Sequence, residues 1–260
     1  MFEHGSGQEL KTKMRAVHSS SMLSYNFFSW IDNEYPFKWN EGVYTEVYFE
    51  VKLRTLIYPF AAANMDVVLK GKKGEKDSLI FIESKFLEYT NSEVFDLSES
   101  YKTTGIWYDK YKEVWPKRIE TWEDKIKRNE IVSKYQGGIK QSFCHLIGLT
   151  NLNDKRALDW FNTNNSKHEI KLHIDNIDDI DICFANVVFE PNNNKYGEEN
   201  NLYNSYKEDY DCFVKLLNGT KEVQWYSYST LWKTMKEQLM KYYPDRVEYL
   251  EGRYMDFAQK

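Results

Sequence analysis

In the stretch NMDVVLKGKKGEKDSLIFIESKFLEYT (64–90), two apolar runs carry charge where a core strand carries none. Asp66 lies in the first, Glu83 and Lys85 in the second. Side chains on a strand alternate faces, so Glu83 and Lys85 point the same way, about 7 Å apart. A hairpin centred near Gly74 and Glu75 brings Asp66 opposite or nearly opposite Glu83, and directly paired positions hold their Cβ atoms about 5 Å apart. Two carboxylates that close repel unless a cation lies between them or one takes a proton. One or two carboxylates with waters and a substrate phosphate make the oxygen-only ligation expected of magnesium. The Lys85 ammonium would lie beside such an ion, where an attacking water or a developing oxyanion meets it. Glu-x-Lys alone is common, and a solvated hairpin with Lys85 paired to Glu83 is the plain alternative. The near-continuous apolar runs MDVVL and LIFIES instead suit a sheet covered on both faces, where charge is expensive unless it has a task.

The elements around this hairpin follow from periodicity. SSSMLSYNFFSWI (19–31) reads as a serine-capped helix with Met22, Leu23, Asn26, Phe27 and Trp30 at helical spacing. YTEVYFEVKLRTLIY (44–58) alternates, with Val47, Phe49, Val51 and Leu53 on one face and Glu46, Tyr48, Glu50 and Lys52 on the other. Strands are predicted over 64–70 and 78–87, joined by GKKGEKD as a polar hairpin loop. Residues 88–136 read as a charged, partly helical insertion interrupted at Pro116. Residues 137–151 form a helix whose apolar stripe is Ile139, Phe143, Leu146 and Ile147, while Gln141, His145 and Gly148 line another face. IDICFANVVFEP (180–191) is a buried strand ended by Pro191. PNNNKYGEENN is an exposed loop, and residues 200–260 read as a helical extension. The expected order is helix, three-strand meander, helix, strand and helical tail, an α/β fold in one domain spanning 1–260.

Composition sets the bounds. The chain has 260 residues, 42% hydrophobic and 17% aromatic, with a net charge of -5. That is a globular composition. The charge gives no global sign of nucleic-acid binding, although a local basic face would suffice. Cys144, Cys183 and Cys212 show no metal or disulfide spacing and read as small core residues in a reducing cytoplasm. No apolar run approaches the roughly 18 residues of a membrane span, and the N-terminus has no signal-peptide core. The expectation is a soluble, cytoplasmic protein.

An Asp on the second strand of the meander and Glu83-Ser84-Lys85 on the third, between an N-terminal helix and a following helix and strand, resemble the PD-(D/E)XK nuclease superfamily. Met65 stands where that motif often has Pro. SSSMLSYNFF, NMD, IESKFLEY and FANVVFEP are also similar to a bacterial family of predicted restriction endonucleases within it, over roughly residues 15–190. The resemblance implies a restriction-endonuclease-like core with a mixed central sheet and extra helices. It implies that Asp66 and Glu83 bind Mg2+, with Mn2+ able to substitute, and that Lys85 positions or activates the water. Members often add an upstream Glu, for which Glu50 is chosen over Glu46, and a polar residue on the helix after Glu-x-Lys, which Gln141 fits. No family role attaches to His145, and Ser84 faces the other side and packs.

The hairpin lysines Lys70, Lys72, Lys73 and Lys76 are expected at the mouth of the site as phosphate contacts. Between Lys110 and Lys134, eight Lys/Arg against five Asp/Glu interleave with Tyr111, Trp115 and Trp122, a mixture that could stack on bases or form a solvated helix face. The implied activity is Mg2+-dependent endonuclease hydrolysis of DNA phosphodiesters in restriction or defence, with homodimer formation left open. Two rivals carry other chemistry. A non-catalytic nucleic-acid-binding module would keep the fold and bind magnesium without turnover. A two-carboxylate glycosidase would separate its acids by about 5–10 Å and needs no neighbouring lysine.

Overall fold

The computed structural model of the protein describes residues 19–57, 62–103, 106–165, 172–191, 197–217 and 223–255. Helix α1 (Ser20–Phe28) begins where the sequence places it, because the Ser19 hydroxyl accepts the Met22 backbone N–H, one of the donors a helix start leaves unpaired. Strands β1 (Phe37–Trp39), β2 (Gly42–Arg54), β3 (Ala62–Lys73) and β4 (Lys76–Lys85) follow. The insertion carries α2 (Val114–Lys127), then come α3 (Gly137–Asn151), α4 (Lys155–Asn165), β5 (Ile180–Val188), α5 (Gly197–Leu216), β6 (Val223–Ser227), α6 (Tyr228–Tyr242) and α7 (Pro244–Leu250). The strands form one sheet in sequence order, β1 to β6. Neighbours from β1 to β4 are antiparallel, and β4–β5 and β5–β6 are parallel. The fold is thus α/β with a mixed sheet. Two edge additions, β1 and β6, were not expected from the sequence, and β6 interrupts the tail read as helical.

Helices cover both faces. On one, Ile139, Phe143 and Ile147 of α3 pack with Phe213 of α5 against Val51, Met65, Val68 and Phe81. On the other, Phe27 of α1 and Leu231 and Met235 of α6 pack against Phe49, Val67, Ile80 and Ile82. The sequence alternation of β2 holds only to Glu50. Val47 and Phe49 face α1 and α6, but Val51 and Leu53 join Tyr48 on the α3 face. The single face read for Val47, Phe49, Val51 and Leu53 is therefore split. The cause is local, since Glu50 has φ 54, a left-handed conformation that costs a non-glycine residue roughly 1–2 kcal/mol and reverses the side-chain alternation.

Three further readings are corrected. The hairpin loop GKKGEKD shrinks to a two-residue turn, because Lys73 pairs with Lys76 and Gly74 takes φ 61, as such turns require. Pro116 does not interrupt α2. It sits in the first turn, where its missing N–H would have no intrahelical partner. Trp115 and Trp122 of α2 are core residues, so neither stacks on a base. Residues 192–196 of the expected loop lie outside the described residues, Pro191 is buried rather than exposed, and residues 197–201 start α5.

Helix α3 is clamped at both ends, which fixes the residues it aims at the sheet. At its far end, buried Asn151 donates to the Arg54 and Thr55 carbonyls, both at 3.0 Å. Before its start, the buried Asp209 carboxylate accepts Val132 N and Ser133 N, each at 2.9 Å, and Gln136 Nε2 at 3.1 Å. Asp209→Ala would strand two backbone donors, so it is expected to destabilise the chain by about 2–3 kcal/mol. Asp209→Asn, which keeps an acceptor, should cost clearly less. Urea unfolding of the two variants checks this, and equal midpoints would show that the carboxylate does not hold the loop.

Candidate functional site

Asp66 and Glu83 occupy the place the hairpin register dictates. The β3–β4 ladder ends at Val67 and Ile82, and Asp66 and Glu83 are the next rung. That rung is not closed by backbone bonds. The Ser84 N–H instead donates to Asp66 Oδ2 at 2.7 Å, so the carboxylate ends the ladder as the strands part. Glu50 occupies the rung skipped between Phe49–Val67 and Val51–Met65, level with Asp66. On the other side, Glu83 pairs with Asn186 of β5. Carboxylates from β2, β3 and β4 therefore lie in one cross-strand row. The row crosses the C-terminal ends of the parallel strands β4 and β5, the end at which open α/β sheets bind ligands.

Glu83 and Lys85 share the α3 face and are both buried. Lys85 Nζ donates to Glu83 Oε1 at 2.6 Å and to Gln141 Oε1 at 2.5 Å. Gln141 and His145, one helical turn apart on α3, both meet this row. The stripe can approach because of Gly148, where an added Cβ would lie 2.8 Å from Leu53 Cβ. His145 Nδ1 lies 3.5 Å from Glu83 Oε2. Ser84 turns to the opposite face, where its hydroxyl meets Tyr228 Oη at 2.8 Å.

The charges are strongly coupled. Burial pushes the Asp66 carboxyl well above the usual range, and the Glu83 and Glu50 charges push it further, against an opposing pull from Lys85 and the Ser84 N–H. Burial alone would lower the Lys85 ammonium, but Glu83 foremost outweighs it, and the net shift is well upward. Lys85 is therefore a fixed positive charge at neutral pH rather than a base. Burial lowers His145 despite the nearby Glu83 carboxylate, holding the ring neutral.

Glu46 does not compete with Glu50 for Asp66. It pairs with Lys70 at 3.3 Å and accepts the Tyr48 hydroxyl, four residues away along β2, or about 13 Å. The hairpin lysines do not sit at the mouth of the site. Lys70, Lys72 and Lys73 lie four to seven residues along β3 from Asp66, about 13–23 Å. They pair with Glu46, Asp77 and Glu41, and Lys76 lies opposite Lys73 at the tip. The polar composition of the turn marked an exposed hairpin end correctly, but the strands are long enough to carry it away from the acids.

Sequence reasoning set aside His145 and missed Asn186. Asn186 is fully buried, donates to Tyr206 Oη at 3.2 Å and leaves its Oδ1 without a partner. The signals were present, in the i, i+4 spacing of Gln141 and His145 and in one amide inside the apolar run of β5. Among the described residues, no three His, Cys, Asp or Glu side chains converge into a ready-made metal cluster. The row still fits a cation on other grounds. Its donors are carboxylate oxygens, burial and then the Glu83 and Glu50 charges drive Asp66 toward its protonated form, and buried His145 Nδ1 has no hydrogen-bond partner.

Among the described residues, no helix is long and apolar enough to cross a membrane. In comparisons with known proteins, no family model, no curated protein and no solved structure matches the chain.

Proposed function

We propose that the chain is a metal-dependent DNA endonuclease with a restriction-endonuclease-like core, acting in restriction or defence. The observation that carries this reading is the row of Glu50, Asp66 and Glu83 from three adjacent strands, with the Lys85 ammonium bonded to Glu83. Asp66, Glu83 and Glu50 would hold Mg2+ or Mn2+, and such an ion supplies Lewis-acid polarisation of a phosphate and a more acidic water. Lys85 contributes a charge beside the reacting phosphate that favours the additional negative charge of the transition state. Gln141 orients that ammonium through its amide oxygen. The left-handed backbone at Glu50 supports the same reading, because strain of this kind persists where the surrounding structure enforces it and clusters at functional sites.

Glu50→Gln is accordingly expected to slow cleavage more than Glu46→Gln, which disturbs only a partly exposed pair with Lys70. The reverse order in matched rate measurements would move the upstream acid to Glu46. The reaction class is tested by cutting mixed DNA substrates in oxygen-18 water with Mg2+ or Mn2+. Hydrolysis places one labelled oxygen in the terminal phosphate per cut. Cuts without label, or cleavage of sugars without added metal, would exclude phosphodiester hydrolysis at this site.

A second reading has one observation in its favour. The 2.6 Å pair of Lys85 and Glu83 satisfies one oxygen of that carboxylate without a metal, so a non-catalytic nucleic-acid-binding module could keep this fold with no ion turning over substrate. DNA binding with no cuts under any divalent ion selects it.

A further inference from the structure

Resting on the metal-dependent reading above, we propose that His145 supplies a nitrogen ligand to the metal ion of this site. His145 and Glu83 then form a mixed nitrogen–oxygen donor pair, and the site takes Mn2+ in preference to Mg2+.

His145 is 3% exposed, and its Nδ1 has no hydrogen-bond partner. The ring lies beside the backbone of Asn64, two residues before Asp66. A neutral imidazole that carries its proton on Nε2 presents a lone pair at Nδ1, the nitrogen that is buried here without a partner. The atom it faces, Glu83 Oε2, is also an acceptor, 3.5 Å away. Buried polar atoms left in this state are uncommon and call for a partner. Lys85 cannot be that partner, because its ammonium is directed at Glu83 Oε1 and Gln141. A cation between the two acceptors satisfies both. Ligands at adjacent corners of an octahedral ion, each about 2.1 Å from it, lie about 3 Å apart, so the observed separation needs only a small contraction. An imidazole nitrogen shifts preference away from Mg2+, which favours oxygen, toward Mn2+ and the later divalent metals.

The test is pulsed electron paramagnetic resonance of Mn2+ bound to the 260-residue chain, prepared with natural and with nitrogen-15 histidine. A directly bound imidazole gives a nitrogen coupling that changes with the label. Calorimetry should show tighter binding of Mn2+ than of Mg2+. His145→Gln, which keeps a polar side chain of similar reach, should abolish the coupling and lower Mn2+ affinity by about 10- to 100-fold or more, the loss expected even for a residue that only orients a ligand. Mg2+ affinity should fall less. Mn2+ that binds in an Asp66-dependent manner without nitrogen coupling overturns the assignment of His145 and leaves the metal site standing. Coupling that persists in His145→Gln belongs to another histidine and overturns it equally. Absence of any Mn2+ binding overturns both readings.

Discussion

Lys85→Ala is expected to lower DNA cleavage by about two to four orders of magnitude, the scale for losing one group that stabilises developing charge, while metal affinity stays near wild type or rises. An ammonium is not a metal ligand, and removing a positive charge beside the carboxylates favours a cation there. The structure sharpens how this must be measured. Glu83 and Lys85 are buried together, and a buried carboxylate stripped of its partner costs about 3–5 kcal/mol. The metal-free variant should thus be markedly less stable, and a divalent ion should restore it more than it stabilises wild type. Lys85→Met, which keeps the aliphatic stem, gives the same catalytic loss with better packing. Lys85→Arg should not rescue fully, because the planar guanidinium cannot reproduce the 2.6 Å contact to Glu83 and the 2.5 Å contact to Gln141. Metal affinity and cleavage lost together, with the ion unable to restore the fold, would make Lys85 a structural residue.

The second large effect is at Asp66. Asp66→Asn keeps an acceptor for the Ser84 N–H but removes the charge, so metal binding should drop below detection in Mn2+ calorimetry and cleavage should disappear. The metal-free chain should become more stable, by roughly 1 kcal/mol or about 2–4 °C in Tm, because one of three neighbouring carboxylates has gone. The pH dependence has a definite sign. The folded Asp66 carboxyl is raised above its unfolded value, so the folded chain holds a proton that the unfolded chain has released. The stability this gives is fully present below the ordinary carboxylate pKa and is lost as pH rises through the raised one. Asp66→Asn should remove that fall from the metal-free melting curves, and bound metal should offset it in wild type. An unchanged metal affinity in the variant would take Asp66 out of the site.

The core of the site was legible because it rests on short-range rules. Alternation puts Glu83 and Lys85 on one face, and a turn at Gly74 and Glu75 fixes Asp66 beside Glu83 once two strands are granted. Helical spacing likewise grouped Gln141 with His145 before their shared target was visible. What escaped were features set by non-local contacts or by one backbone angle. The reversal at Glu50 leaves no trace in a pattern where Val51 and Leu53 are apolar on either face. Strand β6 is five residues whose partner in the sheet, β5, precedes it by the whole of α5, and VQWYS alone carries no pairing signal. The hairpin lysines were misplaced because polar alternation in a two-stranded tip resembles a loop. Pro116 read as a break because its position in the first turn depends on where α2 starts.

Metal-dependent cleavage assisted by Lys85 can be read out by incubating closed circular DNA with the wild-type chain and with Lys85→Met, each in Mg2+, in Mn2+ and in EDTA. Nicked or linear DNA is expected for wild type with either metal, none in EDTA, and a rate lower by about two to four orders of magnitude for the variant despite retained metal binding. Cutting that survives EDTA, or a Lys85→Met rate equal to wild type, would contradict it.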